Sequence, residues 1–232
     1  MSATALIVGA GSGISASFAR VLHREGIKVA LAARTPANVQ AFADEIGATT
    51  HACDATDPDQ VAQLFADLDA AGVELDVVLY NASARAHGPI TELDPADVAK
   101  SLNISAYGGF LVAQQAAKRM VPRGTGTILF TGASASVKGY PHSSIFAMGK
   151  HGLRGLASAL GRELAPQGVH VCHFVIDGGV RNAAKGRIEG PGDPPDKYLD
   201  PDAIAETYMH VVKQDRSSWT WDIELRPYGE TY

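Results

Sequence analysis

The first apolar run of the chain, which ends at Val8, gives way at once to Gly9-Ala10-Gly11-Ser12-Gly13, and apolar residues then recur at helical spacing. A strand that turns into a helix through so short a glycine-rich link is the opening unit of an α/β fold, and the rest of the chain repeats the alternation. Strand-length runs are read at Ala3 to Val8, Lys28 to Ala32, Thr49 to Cys53, Asp76 to Tyr80, Gly126 to Thr131, Val169 to Ile176 and Trp219 to Leu225. Helical patterns separate them, so the expectation is a doubly wound parallel sheet with helices on both faces. At 232 residues this is one domain, spanning 1–232, large enough to bury roughly 70% of its unfolded surface.

Composition excludes several classes. The net charge of −5 comes without a basic cluster, so nothing favours a nucleic-acid partner. No run of about 18 uninterrupted apolar residues exists to span a membrane. The apolar start Ala5 to Val8 lacks a basic lead-in and ends in a glycine turn, so it reads as a strand rather than a signal peptide, and a cytoplasmic location is expected. Cys53 and Cys172 fall in strand runs without metal-ligand spacing and read as buried thiols.

Helix starts are punctuated by Thr35-Pro36, Asp57-Pro58, Asp94-Pro95 and Asp200-Pro201, each with an acceptor at the N-cap and proline at the first helical position. Two long patterns run from Pro95 to Met120 and from Ser144 to Leu164. Their Gly108, Gly109, Gly149, Gly152 and Gly155 suit close helix packing. The Gly/Pro-rich, charged segment 184–198 reads as a mobile loop over the carboxyl edge of the sheet, where ligands bind in such folds.

The glycine turn lets backbone approach a pyrophosphate seated on the positive end of the following helix. The third glycine of G-x-G-x-x-G is missing at Ile14, but G-x-x-x-G-x-G matches at Gly9 and Gly13, with small Ser15 in the last place. Joined to Asp54 after the third strand, Asn81-Ala82-Ser83 after the fourth, Asn103 in a long helix and Lys150, this spacing resembles the short-chain dehydrogenase/reductase family over essentially the whole chain. The resemblance implies a Rossmann-type sheet of order 3-2-1-4-5-6-7, a nicotinamide cofactor, a small-molecule substrate and a homodimer or homotetramer paired through the two long helices. It assigns cofactor contacts to Gly9, Gly11, Ser12, Gly13 and Ile14, to Asp54 and Ala55 by the adenine, to Asn81, Ala82 and Ser83, and to Lys150, Val180 and Asn182. In relatives that use NAD an acidic residue near the end of the second strand meets the ribose 2′-hydroxyl; here Ala33 holds that place and Arg34 follows. A guanidinium forms charge-assisted bonds with a 2′-phosphate, so NADP(H) is favoured over NAD.

The resemblance also exposes two losses. The family's active-site tyrosine, four residues before the lysine, is Phe146, and its serine, thirteen residues earlier, is Ala133. Asn103 and Lys150 keep their implied roles: Asn103 holding a water beside the lysine, and Lys150 binding the nicotinamide ribose. Ser83 stands where the family has glycine, and Asp177-Gly178 where it has Pro-Gly. Tyr140, His142, Ser134, Ser136, Ser143 and Asp177 are all candidates to replace the lost acid, and the residues do not choose among them. Because general acid assistance is typically worth about 10²- to 10⁴-fold, its loss need not end turnover. The leading expectation is an oxidoreductase acting on a small carbonyl, imine or enone by an atypical proton path. The alternative is a catalytically silent NADP(H)-binding sensor.

Overall fold

A computed structural model of the chain describes residues 3–229, so the terminal residues of the expected domain lie outside it. Its seven strands are β1 (Thr4–Val8), β2 (Lys28–Ala33), β3 (Thr49–Ala52), β4 (Val77–Tyr80), β5 (Thr127–Thr131), β6 (His170–Ile176) and β7 (Asp222–Leu225). They form one sheet in the order β3-β2-β1-β4-β5-β6-β7. Every neighbouring pair is parallel. The central strands are buried on both faces, which is why they read as unbroken apolar runs.

Because successive strand residues point to opposite faces, Ala5 and Ile7 join one core and Leu6 and Val8 the other. The first core packs the sheet against α1 (Ile14–Arg24), α2 (Gln40–Ile46) and α7 (Pro201–Val212), through Phe18, Leu22, Phe42 and Tyr208. The second packs it against α3 (Pro58–Ala70), α5 (Gly108–Arg123) and α6 (Ser144–Leu164), through Phe65, Val112, Met120 and Leu153. Cys53 and Cys172 are free and buried, and burial pushes their thiols up to about 11 and about 12.

Asp57, Asp94 and Asp200 cap α3, α4 (Pro95–Leu102) and α7 as expected, each side chain accepting from first-turn amides. Thr35 does not: its side chain caps nothing, and Pro36–Asn38 makes only a short 3-10 turn. The helix expected from Pro95 to Met120 also differs, since a π-helical turn at Asn103–Tyr107 separates α4 from α5. Tyr80 at the end of β4 donates its hydroxyl to the Ile104 carbonyl in that turn. A Cβ on Gly108 would lie 2.7 Å from the Ala55 carbonyl oxygen, so the widened turn lets α5 start hard against the sheet edge. Most of the small residues in the long helices serve packing inside the chain. A Cβ on Gly149 would meet Ser105 at 2.7 Å and one on Gly109 would meet Leu153 at 2.5 Å, whereas Gly155 faces open space.

The chain runs from β1 outward to β3 and returns to β4 on the other side of β1. Connections from β1 and β4 therefore leave in opposite directions and open a crevice at the carboxyl ends of these strands.

Candidate active site

A cleft of about 680 Å³ occupies this crevice, within the range of small-molecule sites. Its floor is the glycine turn. Gly9 has φ of +80°, and a Cβ there would come 2.4 Å from the Ala82 nitrogen, so both conformation and space require glycine. Asn81 braces the turn by donating to Ser15 Oγ at 2.7 Å and to the Gly9 carbonyl at 3.4 Å. Gly13 precedes α1, whose first turn has no side-chain cap and no acidic residue. That leaves the positive helix end facing the cleft. From the far side, Asn182 reaches Ser12 Oγ at 3.5 Å. Gly9, Gly11, Ser12, Gly13, Ile14, Asp54, Ala55, Asn81, Ala82, Ser83, Val180 and Asn182 thus all line the cleft, as does Arg34. Asp54 is turned toward its own loop, accepting from Thr56 N at 2.9 Å and Thr56 Oγ1 at 2.8 Å.

The other end is built by the close of β5 and the start of α6. Lys150 is 2% exposed and donates from Nζ to the Thr131 carbonyl at 2.7 Å. Burial, followed by repulsion from Arg85, brings its ammonium down to about 7. Phe146, one turn earlier, has its ring centroid 5.9 Å from Lys150 Nζ. It packs with Ala133, Ala135 and Ala147 into a small apolar cluster, so the two positions where the family carries hydroxyls belong to one patch of hydrocarbon.

Asn103 lies outside the lining of this centre. It sits exposed on the π turn, and its neighbour Ile104 lines the cleft instead. The Asn103 carbonyl accepts from Gly108 N, and no hydrogen bond joins Asn103 to Lys150 among the described residues. None of the six candidate acids lines the cleft either. Asp177 is buried beside Lys138 Nζ at 3.0 Å and Arg226 at 3.6 Å, bracing the start of the loop after β6. Ser136 accepts from Ala133 N at 3.1 Å. Tyr140 and His142 are exposed, and His142 holds a φ of +60° with its carbonyl on Gly88 N.

Three charged cleft residues were not singled out from the sequence: Arg85, Lys185 and Arg187. With Arg34 and Lys150 they set five cations against a single lining carboxylate, Asp54. Among the described residues, none of Arg34, Arg85, Lys185 and Arg187 has a side-chain ion pair. Arg85 stands only two residues beyond Asn81-Ala82-Ser83, a proximity that marks it for the site.

The sheet order and the cleft at its switch point define a nucleotide-binding α/β protein of the doubly wound class. Residues 3–187 match the family model described as short chain dehydrogenase, and the chain belongs to that family. It is 32% identical over 172 residues to a (21S)-21-acetoxyl-apo-melianone synthase of Melia azedarach, a match covering 72% of this chain and 63% of that relative. It is 27% identical over 226 residues to an uncharacterized oxidoreductase of Staphylococcus aureus, covering 96% of each. A crystal structure of a short-chain dehydrogenase from Rhodopseudomonas palustris superposes with a TM-score of 0.81 at 32% identity, over 97% of this chain and 99% of that one. A variant actinorhodin polyketide ketoreductase with NADPH gives 0.89 at 25% identity, over 97% and 96%. No helix among the described residues is long and apolar enough to cross a membrane.

Proposed function

We propose that this chain is an NADP(H)-dependent oxidoreductase acting on a small carbonyl, imine or enone, with Lys150 as the proton carrier in place of the missing tyrosine. The observation that carries the reading is the placement of Lys150: a buried ammonium in the same cleft as the glycine turn and the uncapped α1, with Phe146 beside it.

The residues present fit the cofactor. The Gly9–Gly13 turn and the first turn of α1 receive the phosphates, since a Cβ on Gly11 would meet nothing within 4 Å and the helix end is positive and uncapped. Arg34, free of any acidic partner, takes the 2′-phosphate, consistent with the NADPH held by the ketoreductase neighbour. When bound, the dinucleotide supplies the hydride. The chain's own part is to bind, orient and move the proton. Among the groups lining the cleft, burial and the neighbouring Arg85 bring the Lys150 ammonium down to about 7, and a pKa near the working pH is what supports a general acid role there. The 184–198 loop, reaching the cleft through Lys185 and Arg187, closes over bound substrate. Tyr107 and Phe110, stacked and exposed at the head of α5, support pairing of two copies through the long helices.

The test is NADPH consumption against a panel of ketones, enones and cyclic imines, with the pH dependence of the active pair. Activity that falls on the alkaline side of neutrality and disappears in Lys150→Met, with NADPH still bound, supports the proton role. NADPH binding with silence across the panel favours the sensor, a reading that Ala133 and Phe146 keep open.

A further inference from the structure

Arg85 follows β4, on the cleft wall opposite the start of α6, and its guanidinium carbon lies 4.1 Å from the centroid of the Phe146 ring. A cation over an aromatic face is attracted by the ring quadrupole. The ring thus serves as a shelf for the one part of the guanidinium that makes no hydrogen bonds, leaving the peripheral N–H fork for a partner. The chain supplies none: among the described residues Arg85 makes no ion pair and no side-chain hydrogen bond. What faces it is more positive charge, from Arg187 on the loop after β6 and from Lys150.

The place of this cation separates it from the phosphate contacts. Arg34 follows β2, and Phe146 with Lys150 stands at the end of β5; β2 and β5 are three strand spacings apart in the sheet. That is about 14 Å between the strand ends, so the shelf stands at the opposite side of the cleft from Arg34. The glycine turn after β1 lies between them.

We infer that Arg85, shelved on Phe146, is a substrate-anchoring residue that binds a carboxylate on the molecule to be reduced or oxidised, so the enzyme acts on oxo acids or unsaturated acids. A planar monoanion matches the fork in shape and charge. The apolar cluster of Phe146, Ala133 and Ala135 flanks the anchor and suits the carbon skeleton attached to it. The same field disfavours a cationic iminium, which would enter a site already lined by Lys150, Arg85 and Arg187. Phenylalanine at position 146 thereby acquires a use of its own, as the surface that orients Arg85.

This substrate class rests on the oxidoreductase reading, so the experiment separates the two. Oxamate, malonate, neutral malonamide and inorganic phosphate are titrated by calorimetry into the protein alone and into protein with excess NADP⁺. Carboxylate binding that weakens about 10-fold or more in Arg85→Gln and is partly kept in Arg85→Lys, with malonamide inert, is the expected result; it corresponds to loss of one charge-assisted bond. Affinity for NADP⁺ should change less than about twofold, because its phosphates are assigned to the glycine turn, the first turn of α1 and Arg34 rather than to Arg85. Turnover of 2-oxo acids should exceed that of their methyl esters. The anchor is overturned if no carboxylate binds, if Arg85→Gln binds as well as the parent, if malonamide binds equally, or if phosphate alone binds. Failure of NADP⁺ to bind overturns the cofactor reading by itself, while the titrations without it still judge the anchor.

Discussion

Lys150 Nζ donates to the carbonyl of Thr131 at 2.7 Å, tying α6 to the last residue of β5, and among the described residues no carboxylate pairs with the ammonium. The bond explains how a charged group persists at 2% exposure, and its incompleteness explains why burial brings the pKa to about 7.

The consequence for stability has a definite sign. Between pH 7 and 10.5 the unfolded chain holds a proton on this lysine that the folded chain has released, so stability contributed by this group rises with pH across that window. The full swing is on the order of 3–5 kcal/mol. Cys53 and Cys172, whose thiols are pushed up, pull the other way above the ordinary thiol range. Urea unfolding at pH 7 through 10 should therefore show a more positive slope for the parent than for Lys150→Met, the thiol contribution cancelling between them. Parallel curves would mean that Lys150 keeps an ordinary pKa and cannot carry the proton at neutrality.

Arg34 separates the cofactors. It stands exposed at the end of β2 with no acidic neighbour, beside Ala33 where a carboxylate would exclude a 2′-phosphate. Arg34→Ala should weaken NADPH binding about 10- to 100-fold and leave NADH nearly unchanged, because a charge-assisted bond to phosphate contributes roughly 1.5 to 3 kcal/mol. Equal losses for both, measured by fluorescence titration, would assign Arg34 to the loop structure instead.

The 184–198 segment is held from outside by Arg181. Its guanidinium reaches Glu189 at 2.7 Å and Asp200 at 3.0 Å, and Asn182 pairs with Arg187 across the turn. The hydrogen bond from Arg181 holds the Glu189 carboxyl down to about 2. Any ordering from this pair is present above the ordinary carboxylate range and is lost as pH falls through about 2. Arg181→Ala should raise hydrogen exchange across the segment in the free protein and blunt the protection gained on adding NADPH with substrate. Identical exchange in parent and variant would show that the loop is ordered by other contacts.

The central strands were legible because a sheet covered on both faces leaves no polar alternation to confuse the pattern, whereas partly exposed β7 begins at Asp222, inside the run read from Trp219. Asp-Pro pairs marked three helix starts by a cap that the fold uses as written. Thr35-Pro36 carried the same signal and failed, since nothing packs a full helix there before Gln40. The π turn was illegible: Asn103 to Tyr107 keeps helical composition, and the widening arises from Tyr80 and Gly108 meeting the sheet edge, contacts made across distant residues. The expected cofactor residues all line the cleft, most of them because their places follow from strand ends. Arg85 was missed for the complementary reason, since its meaning lies in the ring of Phe146, 61 positions further along the sequence.

Restoring the two lost hydroxyls tests the site most directly. Phe146 and Ala133 belong to one apolar cluster, so Phe146→Tyr with Ala133→Ser replaces hydrocarbon by two hydroxyls in the same patch. The new phenol would sit beside two cations, Lys150 at 5.9 Å from the ring centroid and Arg85 at 4.1 Å. Both charges favour phenolate and lower its pKa toward the range useful in catalysis. Activity toward simple ketones should rise about 10²-fold, the ordinary worth of a positioned acid. The pH profile should also change, because proton delivery passes from the ammonium to the phenol. No gain, with folding and NADPH affinity intact, would mean that Ser83 or the 184–198 loop has reshaped the substrate pose beyond those two positions, and would strengthen the sensor reading. A gain in the double variant that survives Lys150→Met would locate the new acid at Tyr while leaving the parent's proton on Lys150.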